Sequence, residues 1–112
     1  MIESILSATG LPFRRARFLD PPGGTYAVYT DDCETDGADP MGGDMSDVPA
    51  IVTHSPTIEL YEPAPDDAAE ESVESALGAA GLTWTKQDRY WLQEEQRYQV
   101  VYETSYTTKR RK

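Results

Sequence analysis

The chain has 112 residues, which suits one domain, and 38% of them are apolar, enough for a modest core. Ten basic and twenty acidic residues give a net charge of −10, and the last four residues are all basic. Residues 1–108 therefore carry −14, which repels nucleic-acid phosphates and makes specific nucleic-acid binding unexpected. The single cysteine excludes an intrachain disulfide. Because no stretch approaches the ~20 apolar residues of a membrane span, we expect a soluble protein without a membrane partner.

The first segment predicts a short helix followed by two strands. Ile2, Ile5 and Leu6 have the spacing of one helix face, and Gly10 is placed to end that helix. Residues 14–18 favour a short strand, closed by a turn at residues 20–24 that contains two prolines and two glycines. Residues 25–29 favour a second strand because they are rich in aromatic and β-branched side chains.

Residues 30–49 are predicted to form a long acidic loop. They contain three glycines and two prolines, and seven of their side chains are acidic. A loop of this length is usually functional or disordered. One stretch of it has the spacing of the first half of a calcium-binding loop, but Gly43 stands where such a loop needs a bidentate glutamate. A solvated acidic loop is the favoured interpretation.

The middle of the chain predicts two further strands and a second helix. Residues 50–54 and 57–61 are strand-like, with Ser55 and Pro56 as a bulge, an edge or a break between them. A helix is predicted from the acidic segment after Pro65 to its end at Gly81. Its alanine-rich buried stripe should lie close to a sheet, and its exposed face is predicted to contain Asp67, Glu70, Glu71 and Glu74.

The last third predicts residues 82–86 and 90–93 as a strand or broken pair, then a turn, then one long strand over residues 97–107. The even positions of that long strand are aromatic or β-branched and the odd positions mostly polar, as in a half-buried antiparallel strand. Trp84, Tyr90 and Leu92 share parity and are predicted to share a face, from which Trp91 points away. The fold class is α+β: a mostly antiparallel sheet covered on one face by two helices.

The sequence offers no catalytic constellation, metal-ligand set or cofactor motif. His54 is the only histidine, Cys33 lies 21 residues before it, and the glycine pairs do not form a phosphate-binding loop. An enzyme is therefore not expected, and no cofactor is implied.

Several segments in order resemble a family of small tail-completion proteins of long-tailed bacteriophages. Residues 8–12 (ATGLP), 26–29 (YAVY) and 57–61 (TIELY) are similar to its motifs, as are the acidic helix and residues 98–103 (YQVVYE). The order and spacing cover nearly the whole chain. The family usually has a basic or neutral loop after its second strand, and residues 35–39 of the acidic loop are the nearest counterpart.

The resemblance implies a structural virion protein, a tail terminator or a head–tail joining protein, assembled in the host cytoplasm. Such proteins form a ring, commonly a hexamer, at the head-proximal end of the tail tube. The implied partners are further copies of the chain, the major tail tube protein and the head connector or stopper protein, joined through strand edges and loops. DNA passes through such a ring without being held by specific contacts.

A different class of function stays open as the alternative. The −14 charge of residues 1–108 also suits an acidic binding or inhibitor module that mimics DNA and displaces it from a basic partner.

We expect a single domain over residues 1–108, followed by a basic tail over residues 109–112. The tail is either a solvated terminus or a contact for an acidic partner. The residues expected to make interactions lie in the acidic loop, in the last two strands and in the tail: Asp36, Asp39, Met41, Asp44, Met45, Trp91, Arg97, Val101, Glu103, Arg110 and Arg111.

Overall fold

The computed structural model describes residues 2–31, 33–36 and 50–110, and for residues 33–36, 50–51 and 109–110 it describes the backbone only. Two helices and eight strands follow one another in the order α1, β1–β5, α2, β6–β8. The helices are α1 (Ile2–Thr9) and α2 (Asp67–Ala79). The strands are β1 (Phe13–Arg15), β2 (Tyr26–Thr30), β3 (Cys33–Asp36), β4 (Ala50–His54), β5 (Thr57–Glu62), β6 (Thr83–Lys86), β7 (Tyr90–Leu92) and β8 (Arg97–Arg110).

Three long antiparallel stretches of chain make up the centre of the sheet. The first contains β2 and β3, the second β4 and β5, and the third is β8, so that the second stretch lies between the other two. Thr57 pairs with Glu103 and His54 with Tyr106, so β4 and β5 keep one register along β8. β1 extends the sheet in parallel beside β2, while β6 and β7 pair with β8.

Pro56 causes the interruption between β4 and β5. It has no N–H to donate to a ladder, yet its carbonyl oxygen accepts from the backbone N–H of Thr104 at 3.2 Å and from the Thr104 hydroxyl at 2.8 Å. Because these bonds hold the register across the gap, two short strands act as one long partner for β8. Of the bulge, edge or break expected at Ser55 and Pro56, the structure shows a break between two strands.

Both helices cover one face of the sheet, here called the helix face. Ile5 and Leu6 of α1 and Val73 and Leu77 of α2 are buried in one apolar cluster with Tyr102 and other even-numbered residues of β5 and β8. Gly10 and Gly81 follow the helices with φ of 77° and 74°, a conformation that glycine adopts without a Cβ penalty. The α+β sheet with two helices on one face is as the sequence predicts.

The opposite face, the back face, is partly covered by residues 16–24. Phe18 packs edge-on against Tyr26 with ring centroids 5.0 Å apart, and Tyr26 stacks on Tyr61 at 5.1 Å. Ala16 has φ of 67°, which ends β1 and turns the chain over this face. The predicted strand over residues 14–18 is therefore wrong in its second half: β1 stops at Arg15.

One extra residue separates β6 from β7. Lys86 pairs with Tyr102 and Tyr90 with Gln99, so three residues on one strand face two on the other. Such a bulge reverses the alternation of side chains beyond it. The prediction that Tyr90 and Leu92 share the face of Trp84 is therefore wrong.

The acidic loop and the C-terminal tail are both shorter than predicted, because β4 pairs with a strand on each side. The predicted loop over residues 30–49 contains the last residue of β2 and the whole of β3, which pairs with β4, and residues 32 and 37–49 lie outside the described part of the chain. β8 runs on to Arg110 because Ala50 and Ile51 pair with Arg110 and Lys109. The first two residues of the predicted tail thus belong to a paired strand. Neither described helix is long and apolar enough to cross a membrane.

Candidate functional site

The first candidate site is an extension of the sheet, here called the arm: β3, β4 and residues 106–110 of β8. Among the arm residues whose side chains the structure describes, none belongs to the buried apolar cluster under the helices, although Val52 is buried and Tyr106 packs against the border of the cluster. The molecule measures 55 × 28 × 23 Å along its principal axes, which fits three strands that continue past the core. The arm thus continues the sheet beyond the apolar cluster that the helices cover.

The arm has two outer strands. β3 pairs with β4 on one side, and among the described residues no strand pairs with its other side. On the far side of the arm, β6 pairs with β8 only as far as Ser105, so residues 107–110 likewise have one strand neighbour in the described chain. Outer strands present backbone N–H and C=O groups that can accept another strand.

His54 and Tyr106 mark the place where the arm leaves the core. Their rings stack in parallel with centroids 4.5 Å apart and an interplanar angle of 5°. The His54 Nε2 lies 3.1 Å from the Thr108 hydroxyl. The side chain of His54, the only histidine of the sequence, therefore packs against residues of the neighbouring strand β8, and its described contacts are structural.

The second candidate site is a cluster of charged groups beneath the first turns of α2. Arg89, in the bulge before β7, places Nη2 2.6 Å from Glu70 Oε2 and 3.0 Å from Asp67 Oδ1. Its Nε lies 3.3 Å from Glu62 Oε1. Glu62 is 0% exposed and Glu70 3%, so two carboxyl groups are buried around one guanidinium.

Lys86 and Tyr102 complete this cluster on its other side. The Lys86 ammonium lies 2.7 Å from Glu70 and 2.8 Å from Glu74. The Tyr102 hydroxyl donates to Glu74 Oε2 at 2.7 Å, and the Lys86 Nζ lies 5.7 Å from the centre of the Tyr102 ring. The cluster therefore joins α2 to β5, β6, β8 and the bulge.

The two buried carboxyl groups titrate in opposite directions. Burial, together with a hydrogen bond to the Glu70 carboxylate, raises the pKa of Glu62 from 4.5 to about 7. Burial also acts to raise the pKa of Glu70, but hydrogen bonds from Lys86 and Arg89 outweigh it and lower that pKa. Glu62 Oε2 is buried and has no hydrogen-bond partner among the described residues.

Paired carboxyl groups with separated pKa values also occur in catalytic sites. Here Glu62 is wholly buried, and the nearby surface hollow of ≈ 300 Å³ is lined by Glu70 and by Lys86–Arg89 but not by Glu62. A substrate in that hollow would not reach the group with the raised pKa. The geometry favours a structural connection between helix and sheet.

The back face carries a hydrogen-bonded network across three strands. Glu59 Oε1 accepts from Tyr61 at 2.8 Å and from Gln99 Nε2 at 3.0 Å, and Tyr90 donates to Gln99 Oε1. Beside it, Arg97 Nη2 donates to the carbonyl oxygens of Pro22 at 2.8 Å and Gly23 at 3.1 Å. Arg97 therefore holds residues 16–24 against the sheet.

The structure separates the residues that the sequence marks for interaction. Trp91 is 42% exposed and lies on the helix face, where it is the cross-strand partner of Tyr98. The two rings pack edge-on with centroids 4.9 Å apart. Val101 is half-buried on the back face, and Glu103 is exposed and accepts from Gln87. Arg97 and Glu103 do not pair with each other. Asp36 and Arg110 are placed by backbone at the arm's edges, while Asp39, Met41, Asp44, Met45 and Arg111 lie outside the described residues.

The charged cluster was not found from sequence. The sequence predicts that Glu70 and Glu74 lie on an exposed helix face, whereas Glu70 is buried and Glu74 is bound to Lys86 and Tyr102. A signal for Glu62 was present, because it continues the alternation of the buried residues Ile58 and Leu60. Arg89 carried no comparable signal, since its position depends on the bulge.

Comparison with known proteins adds no family. No family model matches the chain, and a search of curated proteins finds no match.

Proposed function

We propose that this chain is a structural protein of a bacteriophage tail, a tail terminator or head–tail joining protein that forms a ring at the head-proximal end of the tail tube. Its partners are copies of itself, the major tail tube protein and the head connector or stopper protein. It acts by assembly and uses no cofactor, and its place is the virion tail.

The observation that carries this proposal is the arm. Three strands in one register continue past the helix-covered core. The two outer ones, β3 and the end of β8, each have one strand neighbour in the described chain. Outer strands that extend past the helix-covered core are costly for an isolated domain, because their edges attract other strands. They are useful where a neighbouring subunit pairs with them.

The ordered motifs of the family resemblance also support the proposal. They fall on elements that build the fold: residues 8–12 end α1 and lead into β1, residues 57–61 lie in β5, and residues 98–103 lie in β8. The net charge of −10 suits a ring through which DNA passes, since acidic walls do not retain phosphates.

A DNA-mimicking inhibitor is less well supported by the geometry. Such a protein must display its carboxylates, whereas Glu62 and Glu70 are buried and Glu74 is bound by Lys86 and Tyr102. The carboxylates of α2 thus serve in part to attach the helix to the sheet.

The proposal is tested by light scattering and negative-stain electron microscopy of the full chain, alone and with tail tubes of the phage that encodes it. Rings, either free or on the ends of the tubes, are expected. Monomers that leave the tube ends bare would overturn the proposal. Displacement of DNA from a basic protein would then favour the inhibitor.

A further inference from the structure

The two outer edges of the arm carry opposite charges. β3 contains Glu34 and Asp36, whereas β8 ends on Lys109 and Arg110. Asp36 and Lys109 both pair with Ile51 from its two sides, so the charged ends lie at the same level of the arm. One edge is therefore acidic and the other basic at matching heights.

We propose that copies of this chain join head to tail through the arm, with β3 of one copy adding alongside residues 107–110 of the next. The inference rests on the ring-forming function proposed above and names the two edges that join. Strand addition satisfies backbone donors and acceptors on both edges, and the charges select which edges meet.

Charge also disfavours the alternative pairings. Two β3 edges side by side would bring Glu34 and Asp36 of both copies together, and two β8 ends would do the same with Lys109 and Arg110. Like charges opposite one another destabilise a sheet. The remaining arrangement is heterologous, which closes into a ring when the rotation between neighbours allows and otherwise gives a filament.

The topology fixes the direction of the joined strands. β3 and β8 are both antiparallel to β4, so they run the same way within one copy. When neighbouring copies share an orientation, as around a ring, β3 of one and β8 of the next pair in parallel. Asp36 of one copy then lies at the height of Lys109 of the other.

A pair of charge-reversal variants tests this inference. Glu34→Lys with Asp36→Lys makes both edges basic, and Lys109→Glu with Arg110→Glu makes both edges acidic. Each variant alone should self-associate at least about tenfold more weakly than the unaltered chain in sedimentation velocity, with tail tubes added if the chain needs them. An equimolar mixture should restore assembly, because every junction then joins a basic edge to an acidic one.

Matched controls change the net charge equally at exposed positions outside the arm: Glu71→Lys with Glu94→Lys, and Arg15→Glu with Arg17→Glu. These should assemble as the unaltered chain does. Unweakened assembly of the edge variants overturns the inference. So does a mixture that fails to assemble although circular dichroism shows both variants folded.

A disulfide trap covers the case in which the charge reversals disturb folding. In a Cys33→Ser chain with Thr35→Cys and Thr108→Cys, the two new thiols of one copy are separated by β4, two strand spacings or about 9.6 Å, too far for a disulfide, whereas the proposed pairing places residue 35 of one copy beside residue 108 of the next. Mild oxidation should link different copies into a ladder, and the Cys33→Ser chain with Thr35→Cys and Ser105→Cys, whose edge is covered by β6, should give none. Absence of the ladder in assembled rings overturns the edge pairing but leaves the ring function standing. Absence of any ring overturns both.

Discussion

Arg89 Nε lies 3.3 Å from Glu62 Oε1, a carboxyl group that is 0% exposed. The same guanidinium binds Glu70 and Asp67 of α2, and the hydrogen bond to Glu70 raises the Arg89 pKa against the opposing effect of burial. One side chain from an irregular segment thus connects the end of β5 to the start of α2. Together with Lys86 and Tyr102, it attaches the acidic helix to the sheet.

Arg89→Met should destabilise the fold by about 3–5 kcal/mol, because it leaves buried carboxylates without their partner. Urea unfolding at pH 7.5 measures this free energy. Arg15→Met, at an exposed position of β1, is the matched control and should change stability by less than about 0.5 kcal/mol. Equal effects of the two changes would show that the cluster does not secure α2.

Stability should fall as the pH rises from about 4.5 to about 7. Burial raises the pKa of Glu62 from 4.5 to about 7 in the folded chain, so the folded state binds an additional proton between these values. This contribution to the free energy of unfolding is complete below the unfolded pKa and is lost as the pH rises through the folded pKa, with a total of roughly 3 kcal/mol.

The pH dependence can be assigned to Glu62 with a variant whose side chain at that position does not titrate. Glu62→Gln keeps the size and the oxygen near Arg89 but does not ionise, so urea midpoints from pH 5 to pH 8 should lose that downward slope. Glu71→Gln, at an exposed position of α2, should keep it. A slope unchanged in Glu62→Gln would assign the pH dependence to another group.

Arg97→Met should release residues 16–24 from the back face while leaving the sheet intact. The change removes the bonds to Pro22 and Gly23 and the contact of the guanidinium with the Tyr26 ring at 5.4 Å. Amide hydrogen exchange in residues 16–24 should accelerate by at least about tenfold, whereas exchange in β5 should stay as it was. Uniform acceleration throughout the chain would mean that Arg97 supports the whole fold.

Trp91→Ala should weaken assembly without unfolding the chain. Trp91 is 42% exposed and touches Tyr98 from an outer strand, so its loss costs little core packing, while large aromatic side chains contribute heavily at subunit contacts. Sedimentation velocity measures the effect. Leu19→Ala, at an apolar residue 88% exposed, is the control. Unchanged assembly of Trp91→Ala would remove this residue from the interface.

The sequence predicts the positions of side chains best where the alternation of a strand continues without interruption. The alternation along β8 places Val100, Tyr102 and Thr104 in the interior, and all three are buried. Prediction fails where a local irregularity resets the pattern: the positive φ of Ala16 ends β1 early, and the bulge before β7 turns Tyr90 to the back face. Neither irregularity has a glycine or proline to mark it.

The charged cluster was hidden for a different reason. Glu70 looks exposed because helix periodicity alone cannot indicate which acidic residues meet cations from distant strands. Lys86 and Arg89 lie 16 and 19 residues further along the chain, and only the sheet brings them under α2. Burial of a carboxyl group is thus a tertiary property that the local pattern does not contain.

Electron microscopy of the full chain with tail tubes tests the central claim most directly. The account predicts a ring of several copies on one end of each tube, and shorter, length-limited tubes when the chain is present during tube assembly. Tubes with bare ends and unlimited length, beside a chain that remains monomeric, would contradict it.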